Sequence, residues 1–445
     1  MMHLAQPLRF ILLLTLGAAL SGGLQAAVNR TLPVDPATLT EYLQRAQSAN
    51  PDLHAFERRY EAAMHRIPQA ATLPDPVLQV TSFVESVQTR TGPQEDQFML
   101  RQRIPWFGKL SSRKEAASAR AEALWYAYQN RQLGLAREVS LAFYEYAYTG
   151  EALRLTRENR DLLRKLEPIV EDKVAGGADL NALLRLKVEI GKVEDKLQSL
   201  EQKRVVQSAR IAELLALPPD GLLPFPEWSQ PEPVEPDGAA LARAIEANNP
   251  QLQMLERKMR SAKARRELAR MESYPDLSLG VNYIRIGDPV VNPATPDAGR
   301  DAWGVTVTVD LPVWFRKNSA ARAEALAGHR ALESEWENRY NALRADLSAS
   351  LATLKDANRR LELYGEELLG LAEQAVENSR SSYENGRTGI LEVIDSERSL
   401  LDLQLLYWRA AADAWQQRVT IQTLANRPIH GSFSATQSND SKKTQ

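Results

Sequence analysis

The spacing of apolar positions changes period several times along the chain, and the changes come in the same order twice. Four short stretches alternate at every second residue. In the clearest, Trp303, Val305, Val307, Val309 and Leu311 oppose Gly304, Thr306, Thr308 and Asp310. In another, Leu277, Leu279, Val281 and Tyr283 oppose Ser278, Gly280 and Asn282. The two earlier stretches are noisier. Leu78, Val80 and Val84 face Gln79, Thr81 and Glu85, and then Phe98, Leu100 and Ile104 face Met99, Arg101 and Arg103. A period of two puts neighbouring side chains on opposite faces of a strand, so strands are expected at 77–86, 98–104, 276–286 and 303–311. Alternation of this length with aromatics near the ends is the pattern of a membrane-spanning barrel strand. The polar segments 86–97 and 287–302 then read as loops outside the membrane.

Elsewhere the period is helical. Opening helices are expected at 37–71 and 238–272, long helices at 109–173 and 317–383, and return helices at 180–217 and 390–426. At a rise of 1.5 Å per residue each long helix spans roughly 100 Å, far beyond a globular core. Pro168 should kink the first. The return helices carry coiled-coil spacing: Leu183, Leu186, Ile190, Val193, Leu197 and Leu200 in one, and Ile394, Leu401, Leu405, Trp408, Ala412, Trp415 and Val419 in the other, with Arg398 as the polar exception. Steps of three and four produce antiparallel supercoiled pairs where the turn is short.

Short motifs confirm the duplication. Asn50-Pro51 returns as Asn249-Pro250, Pro74-Asp75 as Pro275-Asp276, and Ile104-Pro105-Trp106-Phe107-Gly108-Lys109 as Leu311-Pro312-Val313-Trp314-Phe315-Arg316-Lys317. Gly176-Gly177 returns near Asn385-Gly386, and Leu217-Pro218 as Arg427-Pro428. The repeats occupy 27–217 and 237–428, joined by the proline-rich segment 218–236, with a polar tail at 429–445 expected to be disordered. Four strands cannot close a barrel around a lumen, and an open sheet in lipid leaves unpaired edges. Three copies supply twelve strands and remove the edges.

Composition narrows the function by exclusion. Lys plus Arg (55) balances Asp plus Glu (57) without a basic block, so no nucleic-acid partner is expected. Cysteine is absent, which removes disulfides, thiolate sites and a lipid-bearing cysteine, so the chain is expected to be unlipidated. Arg9, an apolar run from Phe10 to Leu20 and the small residues Ala26 and Ala27 have the layout of a cleaved signal peptide at 1–26. Its apolar run is too short to cross a bilayer as a helix. The five histidines are scattered, and no phosphate loop, nucleophile triad or metal motif is present. No enzyme activity, cofactor or metal site is expected.

These features together resemble the TolC-like outer-membrane efflux family over nearly the whole mature chain. The resemblance rests on the duplicated element order, the Pro105-Trp106-Phe107-Gly108-Lys109 junction and the turn from Tyr383 to Leu391. It implies an α+β membrane protein: a homotrimer whose twelve-stranded outer-membrane β-barrel continues into a long periplasmic α-helical barrel. It also implies a passive exit duct for heavy-metal cations or drugs, fed by a proton-driven inner-membrane pump through a periplasmic adaptor. The junction looks like that of heavy-metal members. A pore gate is implied at Tyr383, Arg387, Glu392 and Asp395, with Glu392 and Asp395 in an acidic ring. The gate departs from the family at Thr388, where an arginine is expected, and at Ala182, where an acid is expected. Adaptor-docking tips are expected at Gly176, Gly177, Gly386 and Gly389, where glycine suits a tight reversal. The competing reading is a structural periplasmic coiled-coil protein without channel activity.

Overall fold

A computed structural model describes residues 38–289 and 296–428. The expected signal peptide, the polar tail and part of the 287–302 loop lie outside them. Each half of the chain lays down opening helices, a strand pair, a long helical stretch and a return helix in the same order. The first has α1 (Leu39–Ala49), α2 (Pro51–Met64), α3 (Arg66–Ala71), β1 (Val77–Thr89), β2 (Gly92–Ile104), α4 (Lys109–Ala175) and α5 (Leu180–Leu214). The second has α6 (Gly238–Asn248), α7 (Pro250–Met271), β3 (Asp276–Ile286), β4 (Ala302–Asp310), α8 (Phe315–Glu362), a π-helical segment (Leu363–Leu368), α9 (Leu369–Glu384) and α10 (Ile390–Leu424).

Both opening helices are broken where one helix was expected. The cause is local: Asn50 and Asn249 cap a new helix from outside, and Pro51 and Pro250 follow at its first position, where no amide proton is needed. The two asparagines also make the same distant contact. Asn50 Nδ2 donates to the Leu214 carbonyl at 3.2 Å and Asn249 Nδ2 to that of Leu424 at 2.9 Å, tying each opening segment to the end of its own return helix. Those ends match as well, since Ala216 and Asn426 both take a φ of 50°.

α4 has 67 residues and runs unbroken through Pro168. The second long helix is divided instead. Leu369 N–H reaches back five residues to the Tyr364 carbonyl, one residue more than an α-turn holds. The expected continuous helix over 317–383 is therefore corrected to α8, a π turn and α9. The turn rotates the buried stripe of α8 (Leu343, Leu347, Leu354, Leu361) relative to that of α9 (Val376, Tyr383).

The sheet order is β1-β2-β3-β4, all antiparallel, with β2 and β3 joining the halves. β1 and β2 run well past the expected bounds, so most of the segment expected as a loop at 86–97 is paired strand. Register collects the apolar side chains into rows on one face: Leu78, Leu100, Val281, Val305 and, beside it, Val80, Phe98, Tyr283, Trp303. All eight are exposed. An apolar face this continuous is what a lipid-facing barrel wall presents. Among the described residues, no helix is long and apolar enough to cross a membrane.

At the base of the sheet the halves are locked by charge. Asp276, 5% exposed, accepts from Lys109 Nζ at 2.8 Å, Trp106 N–H at 2.9 Å and Arg103 at 2.9 Å. The main apolar core lies at the middle of the helices, around Tyr42, Phe143, Tyr146 and Leu215 in one half and Ile245, Leu252, Leu343 and Leu354 in the other. The proline-rich segment is no free tether: Leu223 is fully buried, and Trp228 packs against both clusters.

Candidate functional site

The ends of the two hairpins meet away from the sheet. Leu163, Val170, Leu186, Ile190 and Val193 of α4 and α5 pack with Tyr383 of α9 and Ile390, Val393 and Ile394 of α10. This small core fixes the turns of both halves side by side.

The two turns are built alike. α4 ends with Ala178 N–H donating to the Lys173 carbonyl at 3.0 Å, and α9 with Arg387 N–H donating to that of Ser382 at 2.8 Å. Each reversal needs one residue in the left-handed region, and Gly177 (φ 100°) and Gly386 (φ 68°) occupy it. The other two glycines do not serve this purpose. Gly176 has φ −79°, and Gly389 is extended at φ −85°, ψ 160°, outside α10. A Cβ at Gly177, Gly386 or Gly389 would meet nothing within 4 Å, so all three face open space.

The four gate candidates lie on this tip but in different surroundings. Tyr383 is buried, and Lys173 of the first half lies over its ring at 3.7 Å. Arg387 is exposed on the turn. Glu392 and Asp395 both point to solvent from the start of α10. Asp395 is paired with Arg398, whereas Glu392 is in no ion pair among the described residues. Of the acidic pair, one carboxylate is therefore ion-paired and the other is without an ionic partner among the described residues. Beside it, Asp395 and Arg398 share a groove with Asn181, Arg185, Glu189 and Lys192 of α5. Ala182, standing where an acid was expected, packs against the apolar core instead.

The most buried ion pair at the tip has no counterpart among the expected gate residues. Glu397, only 3% exposed, accepts from Arg380 Nε at 2.8 Å, and Ser379 and Ser396 bond beside it at 2.6 Å. The polar residue inside the buried stripe of α10 is therefore Glu397, and Arg398 is exposed. The seven-residue gap between Ile394 and Leu401 admits either position, and only the helix's rotation decides between them. The first hairpin has its own clasps, Lys187 to Glu171 at 2.9 Å and Arg164 to Glu194.

A second charged cluster crosses the helices at their middle. Glu145 of α4 accepts from Arg409 of α10 at 2.6 Å and from Lys203 of α5 at 2.8 Å, and Arg409 also holds Asp413 at 2.7 Å. Burial pushes the Glu145 carboxyl up, but Lys203 and Arg409 together outweigh it and hold the group below the ordinary glutamate range. Nearby, Tyr144 stacks on Trp415 at 5.3 Å, and burial pushes its phenol up to about 12. Among the described residues, no group of three or more acidic or histidine side chains could hold a metal ion.

Residues 241–427 match the model of the family described as Outer membrane efflux protein. The chain is 23% identical over 395 residues to the cobalt-zinc-cadmium resistance protein CzcC of Cupriavidus metallidurans, covering 88% of this chain and 90% of that one. Its fold matches the solved structure of CusC with a TM-score of 0.75 at 17% identity, over 90% of this chain and 94% of CusC. It also matches the Campylobacter jejuni outer membrane channel CmeC with a TM-score of 0.76 at 12% identity, over 90% and 87%. At these identities the structural likeness carries the fold alone.

Proposed function

The chain belongs to the outer membrane efflux protein family, and from that premise we propose that three copies assemble into one passive exit duct. In this reading twelve strands close a barrel in the outer membrane, and the hairpins continue it as a helical tube into the periplasm. One observation carries the proposal. The sheet exposes a continuous apolar face and leaves the outer edges of β1 and β4 without a strand partner among the described residues, while helices about 100 Å long extend from its base. An open sheet edge is not tolerated in lipid, and closure with further copies removes it.

The duct supplies no energy, so its cargo must be delivered by an inner-membrane pump, expected to be proton-driven, through a periplasmic adaptor. The open space around Gly177, Gly386 and Gly389 suits a partner hairpin approaching the tip closely. Glu392 would then face the lumen as a ring of three carboxylates, favouring cations at the narrow end. Likeness to a cobalt-zinc-cadmium resistance protein supports divalent metal cations as the cargo. Passage through a water-filled tube needs no binding site in the wall.

Mass measurement of the purified protein in detergent tests the assembly. A trimer is expected. A stable monomer with the same secondary structure would overturn the closure argument and favour a structural coiled-coil role.

A further inference from the structure

We propose that Asp75 of one copy and Lys317 of the next form an ion pair between subunits, repeating at each subunit boundary the buried lock that Asp276 and Lys109 make within the chain. This inference rests on the trimeric reading.

The warrant is the internal duplication. Pro275-Asp276 leads into β3 as Pro74-Asp75 leads into β1, an offset of 201 residues. Ile104-Pro105 closes β2 as Leu311-Pro312 follows β4, an offset of 207. The β2–β3 boundary inside the chain is therefore a template for the boundary between β4 and the next copy's β1. Transposing its observed register sets Val309 opposite Leu78, from Gln102 with Leu279, and Val307 opposite Val80, from Leu100 with Val281. A second observation, independent of the first, agrees. Leu78 and Val80 lie on the apolar face through their partners Leu100 and Phe98, and Val307 and Val309 lie on it through Leu279 and Leu277. A shift by one residue would oppose them to Thr306 and Thr308 and break the apolar wall.

The same transposition reaches the lock. Lys109, 2% exposed, reaches Asp276 at 2.8 Å and the Tyr274 carbonyl at 3.1 Å, while Trp106 stacks on the Tyr274 ring at 5.6 Å. The counterparts are Lys317, Asp75, Leu73 and Trp314. In the single chain every one of them is exposed, Trp314 by 73%, and among the described residues neither Asp75 nor Lys317 has an ionic partner. Two departures shape the expected contact. Val313 is an extra residue, so Lys317 is the third residue of α8 where Lys109 is the first of α4. Asp310 replaces Arg103, the second cation on Asp276. At that position the boundary between copies holds a carboxylate in place of the supporting guanidinium, which leaves Lys317 as the counterpart cation for Asp75.

The absence of cysteine makes the test direct. Val80→Cys with Val307→Cys should give disulfide-linked dimers and trimers on a non-reducing gel, whereas Val80→Cys with Thr306→Cys, on opposite faces, should not. Asp75→Lys and Lys317→Asp should each lower the detergent-resistant trimer by at least about tenfold, the scale of a buried charge left unpaired. The double reversal should recover it to within about twofold. Failure of the double reversal to recover any trimer would overturn the ion pair. So would a cross-link at 80 and 306 but not at 80 and 307 in protein that is still trimeric. A monomeric unmutated protein would instead bring down the duct reading itself.

Discussion

Arg380 closes over Glu397 across the α9–α10 turn, and the carboxylate it holds is 3% exposed within an otherwise apolar stripe. The pair fixes the rotation of α10, because a turn in either direction would carry a charge into the core or the stripe into water. Glu392 and Asp395 sit on the same helix, within two turns of Glu397, so the clasp also sets where they point.

Breaking that clasp from one side should be costly. Arg380→Ala strands a buried carboxylate, and the expected loss is about 2–3 kcal/mol, reduced from the fully buried case because Arg380 is partly solvated. Replacing both residues, Arg380→Met with Glu397→Leu, should restore most of the stability. Thermal unfolding of the three forms checks this, and equal losses in the single and double variants would contradict it.

The gate proposal makes a narrower demand than the sequence suggested. Asp395 shares its charge with Arg398 in an exposed ion pair, so the gate proposal rests mainly on Glu392, which has no ionic partner among the described residues. Glu392→Gln should lower cation selectivity in bilayer recordings, with Asp395→Asn adding little. Tyr383→Phe should barely change resting conductance, because the contact at that residue is Lys173 against the ring rather than a bond to the hydroxyl.

The tip glycines separate turn-making from docking. Gly177 has a positive φ, so any side chain there costs about 1–2 kcal/mol whatever the space around it. Gly389 is extended and faces open space, so Gly389→Trp should leave trimer and melting temperature unchanged. It should nevertheless lower export in cells if an adaptor hairpin docks there. Normal export by Gly389→Trp would remove this residue from the docking surface.

The Glu145 cluster should make stability depend on acid. Its folded value lies below the unfolded one, so its contribution is complete above the ordinary glutamate value of 4.5. It is lost as the pH falls through the lower folded value. Glu145→Gln should therefore lower the melting temperature at pH 7 and make less difference at the lowest pH at which the protein still folds. An equal effect at both pH values would mean that packing, not charge, is what Glu145 contributes.

How far these features could be read beforehand depended on periodicity. β3 and β4 were legible because Val305, Val307 and Val309 alternate strictly with Thr306 and Thr308. The outer parts of β1 and β2 were not, since Gln94, Glu95, Asp96 and Gln97 are polar on both faces and such a strand leaves no alternating apolar signature. The π turn at Leu363–Leu368 was invisible because one added residue per turn shifts a stripe without interrupting it. At the tip the chain order gave the turns and the acidic residues. Which charges are paired depends on rotation of α10 against α9, and the cation over the Tyr383 ring is Lys173 from the other half, which no spacing within one helix encodes.

The central claim, that this chain forms a passive duct, is tested most directly by recording from the purified protein in a planar bilayer. The account predicts discrete current steps that are ohmic at low voltage and cation-selective, require no nucleotide, and lose selectivity with Glu392→Gln. Trimeric protein that inserts into the bilayer yet never passes current, even when Arg380→Ala loosens the tip, would contradict it.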